Sequence, residues 1–433
     1  MGTQVQKHFD QLPDEMFSIV QATTAGIGAR LGRLVLPGRA VIETPHYLAS
    51  TSRGVVPHIT PDNFVRSTSI QGVYVGLEDF LGARRTPPVA PPAANPNTAG
   101  TIAVCTAVGF KALHSDDYIE GVQHVQPDIV LSLADVPYGR ALGNRRVERA
   151  VDRSTQWLND HVEARRQASM PQAKLFASLL PVACRNQSYY IESVRDHAAK
   201  DVSGLVIHDL STLENLPMEL GPLPRLGFTS PATPQEVLRH IRLGIDVCTI
   251  PFTSEATDNG IALSFAFPAP NDVCRDEPLP LGVDMWSIEH AADCSPLTPD
   301  CGCYACTDHH RAYIQHLLSA KEMLAWVLLQ IHNHHIIESF FRSIRRSLVE
   351  GTYNRDVERF QQAYESQLPA KTGEGPRVRG YQYKSEGPGE QRKNRPAYNT
   401  LDDRKEAVAG SKSVKLDADS NTLQQQGFAE KQL

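Results

Sequence analysis

Short apolar or β-branched runs recur along the chain: IAVCTA (102–107), DIVLSL (128–133), KLFASL (174–179), GLVIHDL (204–210), RLGFTS (225–230) and VCTIPF (247–252). Runs of this length, bounded by turn residues, predict strands. Polar-capped stretches with helical spacing follow them. In TPQEVLRHIRLG, Thr233 can cap the helix, Pro234 suits its first position and Glu236 completes a capping box. In SDDYIEGVQHV, Ser115 caps while Asp116 and Asp117 complement the positive helix end. Repeated strand-then-helix units predict a parallel sheet, and their number suits a closed (β/α)8 barrel, with an open doubly wound sheet as the alternative. No Gly-x-Gly-x-x-Gly turn follows the early strands, which argues against dinucleotide binding. Two stretches lack periodicity: the proline-rich TPPVAPPAANPNTAG (86–100), read as an inserted loop, and the polar chain beyond Leu368, read as disordered.

A different pattern occupies residues 301–335, where Cys301, Cys303 and Cys306 precede a helical run carrying His332, His334 and His335. Ser319 and Glu322 predict a capping box opening that helix, and Leu324, Leu328 and Ile331 its inward stripe. His332 extends the stripe by one turn, whereas His334 lies about 200° around the helix from it and should face away. A thiolate-rich set closed by one imidazole selects zinc or an iron-sulfur centre, and four protein ligands leave no open position for water. The expectation is one structural zinc ion per chain on Cys301, Cys303, Cys306 and His332, with His335 a secondary candidate. The alternative is a chance grouping of small apolar residues beside a solvated histidine face.

Composition narrows the function. The 433 residues suffice for one large barrel, and a net charge of −6, a pI near 6.2 and 7% aromatic residues exclude a basic nucleic-acid coat protein. Any nucleic-acid contact must be a local patch. Arg342, Arg345 and Arg346 in FFRSIRRSL form one candidate for phosphate contact, and Arg377, Arg379, Arg392, Lys393 and Arg395 add to it. A solvated helix face is the competing reading. No apolar run is long enough for an integral membrane segment and the start lacks a secretory pattern, so a cytoplasmic protein is expected.

The C-x-C-x-x-C motif, with His332 and Asn333 downstream, resembles the zinc motif of the tRNA-guanine transglycosylases, which exchange a guanine in tRNA for a modified base. The flanking HHRAYIQHLLSAKEMLAWVLLQIHN, the upstream PRLGFTSPATPQEVLRHIRLGID and the opening RLGRLVLPGRAVIETPHYLASTSRGVVPHIT are also similar to that family. The resemblance implies a (β/α)8 barrel over residues 17–366, bearing a zinc insertion at 293–335 near its C-terminal end. An N-terminal extension (1–16) and a polar tail (367–433) would flank it.

The family's chemistry implies an aspartate nucleophile and a second aspartate as acid/base. Where its members read G-V-D-M-F-D this chain reads GIDVCT, with Thr249 at the nucleophile's place; the D-S-G-G-F-Q loop is missing, and the Gly-Gly-Leu turn survives as SGL (203–205). These departures resemble the accessory, non-catalytic branch of the family. They imply no catalytic residues here, a heterodimer with a catalytic queuine tRNA-ribosyltransferase subunit, tRNA as the shared substrate, and exchange of guanine for queuine. The helices after the cysteines would face the partner, and family relatives suggest the cytoplasm or the mitochondrial outer surface. A catalytic homodimer and a zinc-stabilised scaffold not acting on tRNA are the rival readings. Of the remaining strand-end acids, Asp135 and Asp246 are expected to be structural, and Asp209 has no evident partner.

Overall fold

The computed structural model describes residues 16–22, 28–77, 97–106, 109–136, 143–167, 173–198, 200–270 and 277–376. Its entrance is a small antiparallel sheet of β1 (Phe17–Ala22), β2 (Arg30–Leu34) and β3 (Ile42–Thr44). The main sheet is parallel and draws on β4 (His46–Ser50), β5 (Val73–Tyr74), β8 (Ile129–Leu131), β9 (Lys174–Leu179), β10 (Val202–Ile207), β11 (Arg225–Gly227) and β12 (Val247–Thr249), in the order β5-β4-β12-β11-β10-β9-β8. The last of these strands in the chain therefore pairs with the first, Val247 lying beside His46 and Thr249 beside Leu48.

A cyclic order with no reversal is that of a wound barrel, since a doubly wound sheet reverses direction at its switch point. The sheet curls into such a barrel, interrupted between β5 and β8 among the described residues. The chain between those strands instead forms the antiparallel hairpin β6 (Thr101–Thr106) and β7 (Gly109–His114). IAVCTA is thus a hairpin arm rather than a parallel stave, because its pairing partner follows immediately in sequence. Residues 86–96 of the proline-rich stretch lie outside the described residues.

Helices α1 (Pro61–Ser67), α2 (Ser115–Val125), α3 (Asn144–Gln167), α4 (Ser188–His197), α5 (Pro234–Arg242) and α6 (Pro251–Asp258) connect or follow the parallel strands. Local chemistry sets their starts. Thr233 caps α5 through the Glu236 amide with Pro234 at the first position, while the Glu236 carboxylate accepts from Ala232 N–H at 2.7 Å, one residue before the cap. In α2 the cap is His114 and Ser115 is already helical, with Asp116 and Asp117 in the first turn as expected. Inside the barrel, Phe176, Val206, Leu226 and Val247 pack as one layer against Leu48, Leu131 and Phe228. The larger core lies between sheet and helices, where Tyr190, Phe252, Phe340, Phe341 and Phe360 are fully buried.

Beyond the barrel, β13 (Ile261–Leu263) pairs with β14 (Gly282–Asp284), and α7 (Tyr304–Asp308), α8 (Arg311–Ser319), α9 (Met323–Val349) and α10 (Tyr353–Ala363) follow. The Ser319–Glu322 capping box does not form. Ser319 ends α8, where its hydroxyl accepts from Gln315 at 3.0 Å; Lys321 then takes a positive φ of 58°, and the turn leaves Glu322 as an N-cap without a side-chain bond. The inward stripe also shifts: Leu328 and Ile331 are buried, but Leu324 is 41% exposed. Contacts continue past Leu368, because Thr372 bonds Asp284, Glu374 pairs with Lys321 at 2.6 Å and Gly373 lies against the Trp286 ring, where a Cβ would clash. Residues 377–433, including the tail arginines, lie outside the described residues.

Candidate metal centre and barrel mouth

Two chain segments meet at the cysteines. Cys301 and Cys303 precede α7, Cys306 sits within it, and α9 brings His332 across. The His332 Nδ1 atom lies 3.7, 3.5 and 3.4 Å from the sulfurs of Cys301, Cys303 and Cys306, and the four ligand atoms all lie within 4.8 Å of one another. With bonds of about 2.3 Å to sulfur and about 2.0 Å to nitrogen, a tetrahedral zinc site has sulfur–nitrogen edges of about 3.5 Å. The donor set and its spacing therefore fit one metal ion.

The other face of the ring completes the case. His332 Nε2 donates to the Leu263 carbonyl at 2.8 Å, which leaves the Nδ1 lone pair directed at the sulfurs. Burial works to lower the pKa of His332, but the hydrogen bonds of Cys301 and Cys306 outweigh it and raise it to about 9; hydrogen bonds from Cys301 and Cys303 draw the Cys306 thiol far down.

Asn333 contributes something that its sequence position alone does not reveal. Its amide donates to the Thr257 hydroxyl at 2.9 Å and the Ile261 carbonyl at 3.0 Å, and its oxygen accepts from Leu263 N–H at 2.8 Å. One residue after the ligand, it locks α9 to both α6 and β13. A second small core of Met285, Leu297, Ile314, Leu318, Trp326 and Leu329 surrounds the cluster. His334 faces away from the sulfurs, yet it is buried, stacked on Tyr47 and accepting from Gln330, and burial lowers its pKa to about 4. His335 is outside the cluster, and His309 and His310 serve locally, the first stacked on Tyr313 and the second capping α8.

The strand ends define the second region. Thr249 ends β12 almost fully buried, and its hydroxyl donates to the Gly227 carbonyl at 3.1 Å. Among the described residues no base bonds it, and it is committed to the neighbouring strand. Asp135 lies four residues past β8 with no exposed surface. It accepts from Asn97 at 2.7 Å, from Arg146 through two nitrogens at 2.7 and 2.6 Å, and from Arg153 at 2.8 and 2.5 Å. Burial alone would raise its pKa, but these bonds hold it below the usual carboxylate range.

Asp209 is an N-cap, accepting from Ser211 N–H at 2.8 Å. Asp246 precedes β12 at the opposite end of the barrel, where it binds Arg30 at 2.8 and 2.6 Å and the Arg225 amide at 2.7 Å. The SGL stretch lies within β10 rather than in a turn, and the Phe176 ring occupies the space that a Cβ on Gly204 would need.

Of the three arginines on α9, Arg342 and Arg346 are exposed. Arg345 reaches inward, donating to the Pro45 carbonyl at 3.0 Å and standing 3.7 Å from Glu338. No helix among the described residues is long and apolar enough to cross a membrane.

Fold and cluster together define a wound parallel α/β barrel carrying a Cys3His metal module after its last parallel strand. The family model described as queuine tRNA-ribosyltransferase matches residues 92–366, and the chain belongs to that family. It is 34% identical to a Schizosaccharomyces pombe protein named queuine tRNA-ribosyltransferase accessory subunit 2, over 84% of this chain and 88% of that one. Proteins of the same name from Ixodes scapularis and Homo sapiens are 26% and 25% identical, over 77% and 74% of this chain and 97% and 94% of theirs.

Proposed function

We propose that the chain is the non-catalytic subunit of a heteromeric queuine tRNA-ribosyltransferase, supporting exchange of guanine for queuine at the wobble position of tRNA anticodons. The observation that carries this reading is the fate of the strand-end acids. Displacing a base from ribose calls for a free carboxylate nucleophile and a second group to move the proton. Here the end of β12 offers Thr249, bonded to Gly227, and Asp135, past the end of β8, is saturated by two guanidiniums and an amide. The names of the relatives agree with this reading.

In this reading the Cys3His cluster holds one zinc ion, which supplies rigidity rather than chemistry because all four positions are protein ligands. The metal module faces the catalytic subunit. Ile288, Met323 and Leu324 support this, being 77%, 53% and 41% exposed on that module. Arg342 and Arg346 contact tRNA phosphates, with Arg345 bracing their helix from within. The proposed compartment is the cytoplasm, with peripheral association at the mitochondrial outer surface as the family resemblance implies. Met323→Asp should weaken assembly with the catalytic subunit about tenfold or more, read by sedimentation, since it places a charge in an apolar contact. A wild-type chain that does not associate with that subunit would overturn the proposal.

A further inference from the structure

The clamp on Asp135 leaves a charge unaccounted for. One carboxylate faces two guanidiniums, so one positive charge remains at the barrel mouth. Both guanidiniums come from α3, whose first three turns read NRRVERAVDR. At about 100° per residue, Arg145, Arg149, Arg153 and Arg146 fall within about 100° of arc. Glu148 and Asp152 lie beyond one edge of this stripe, next to Arg145 and on the side away from Arg146 and Arg153. The charges are therefore segregated around the helix, and the basic side is the one that reaches Asp135.

Arg145 and Arg149 are exposed, and neither has an ion-pair partner among the described residues. Glu148 and Asp152 lie three residues from Arg145 and Arg149 respectively, but no ion pair forms between them. The positive end of a 24-residue helix adds to the same field. Asp135 fixes Arg146 and Arg153 before any ligand arrives, which removes most of the ordering cost of a guanidinium contact. Against a net charge of −6 for the whole chain this is a local positive ridge at the rim of the barrel.

We infer that this face of α3 is a contact surface for the RNA phosphodiester backbone, with Arg145 and Arg149 as its outer contacts and the Asp135 clamp as its support. The inference rests on the tRNA reading above and assigns that contact to residues at the barrel mouth, apart from those on α9. Phosphate is the ligand that suits it, because guanidiniums bind phosphate oxygens in pairs and need no base sequence.

The test measures tRNA binding by the heterodimer over a salt series, comparing the wild-type chain with Arg145→Glu/Arg149→Glu. Both residues are exposed, so the variant should melt as the wild type does. Affinity should fall about 10- to 100-fold at low salt, and the slope of log K against log salt should lose about 2. Unchanged affinity and slope would overturn the inference. So would failure of the variant to assemble with the catalytic subunit, which would make the ridge a protein interface. If the wild-type heterodimer itself exchanges no base and binds no tRNA, the functional reading falls and this one with it.

Discussion

At the scale of single residues, the metal ligands and the barrel-mouth acid respond to mutation in different ways. Cys303→Ser removes one of four donors from a site whose remaining groups cannot close a tetrahedron. Metal content should fall from one ion per chain toward none, and cobalt substitution should lose its thiolate charge-transfer absorption. A variant that keeps full metal occupancy would contradict the assignment. Asp135→Asn leaves Arg146 and Arg153 without their counter-charge, at a cost of about 2–4 kcal/mol, below the usual figure for a buried pair because Arg146 is 38% exposed. The pH dependence has a definite sign. The folded-state pKa of Asp135 is depressed, so its contribution is complete above about pH 4 and is lost as acid protonates the clamp. Urea midpoints of wild type and variant should therefore differ at neutral pH and converge in acid; a gap constant with pH would show that the charge is irrelevant.

The same scale shows what a sequence can disclose. The three cysteines and His332 were legible because their donor chemistry and helical spacing suffice. The roles of Asn333 and Arg345 were not, because both depend on partners far away in the chain, Thr257 and Ile261 for the first and Pro45 for the second.

At the scale of elements, α9 is the piece on which barrel and metal module both lean. Its buried residues run from Ala325 to Leu348 around almost its whole circumference, so a single inward stripe was too simple a pattern for it. The helix packs on Phe265 and Tyr47 from the barrel side and on the metal cluster from the other. Asn333→Ala deletes three buried hydrogen bonds and strands the Leu263 amide. It should cost about 2–4 kcal/mol and loosen the metal, both readable in thermal melts with and without a chelator. An unchanged melt would mean that α9 is held by apolar packing alone. The hairpin β6–β7 escaped prediction for a related reason: IAVCTA has the composition of a buried parallel strand, and only its pairing with the residues immediately following reveals an antiparallel arm.

At the scale of the whole molecule, the repeated strand-and-helix rhythm gave the barrel class, and the pairing of β12 with β4 supplies the closure that no local pattern could show. The barrel keeps the architecture on which strand-end chemistry is ordinarily built, while Thr249 and Asp135 are both spent on internal bonds. The Cys3His module packs against α9, which suits a subunit whose contribution is a surface. The most direct measurement is incorporation of labelled guanine into tRNA by the purified chain, alone and mixed with its catalytic subunit. A non-catalytic subunit predicts no incorporation by the chain alone and full exchange by the mixture. Turnover by the isolated chain would contradict it.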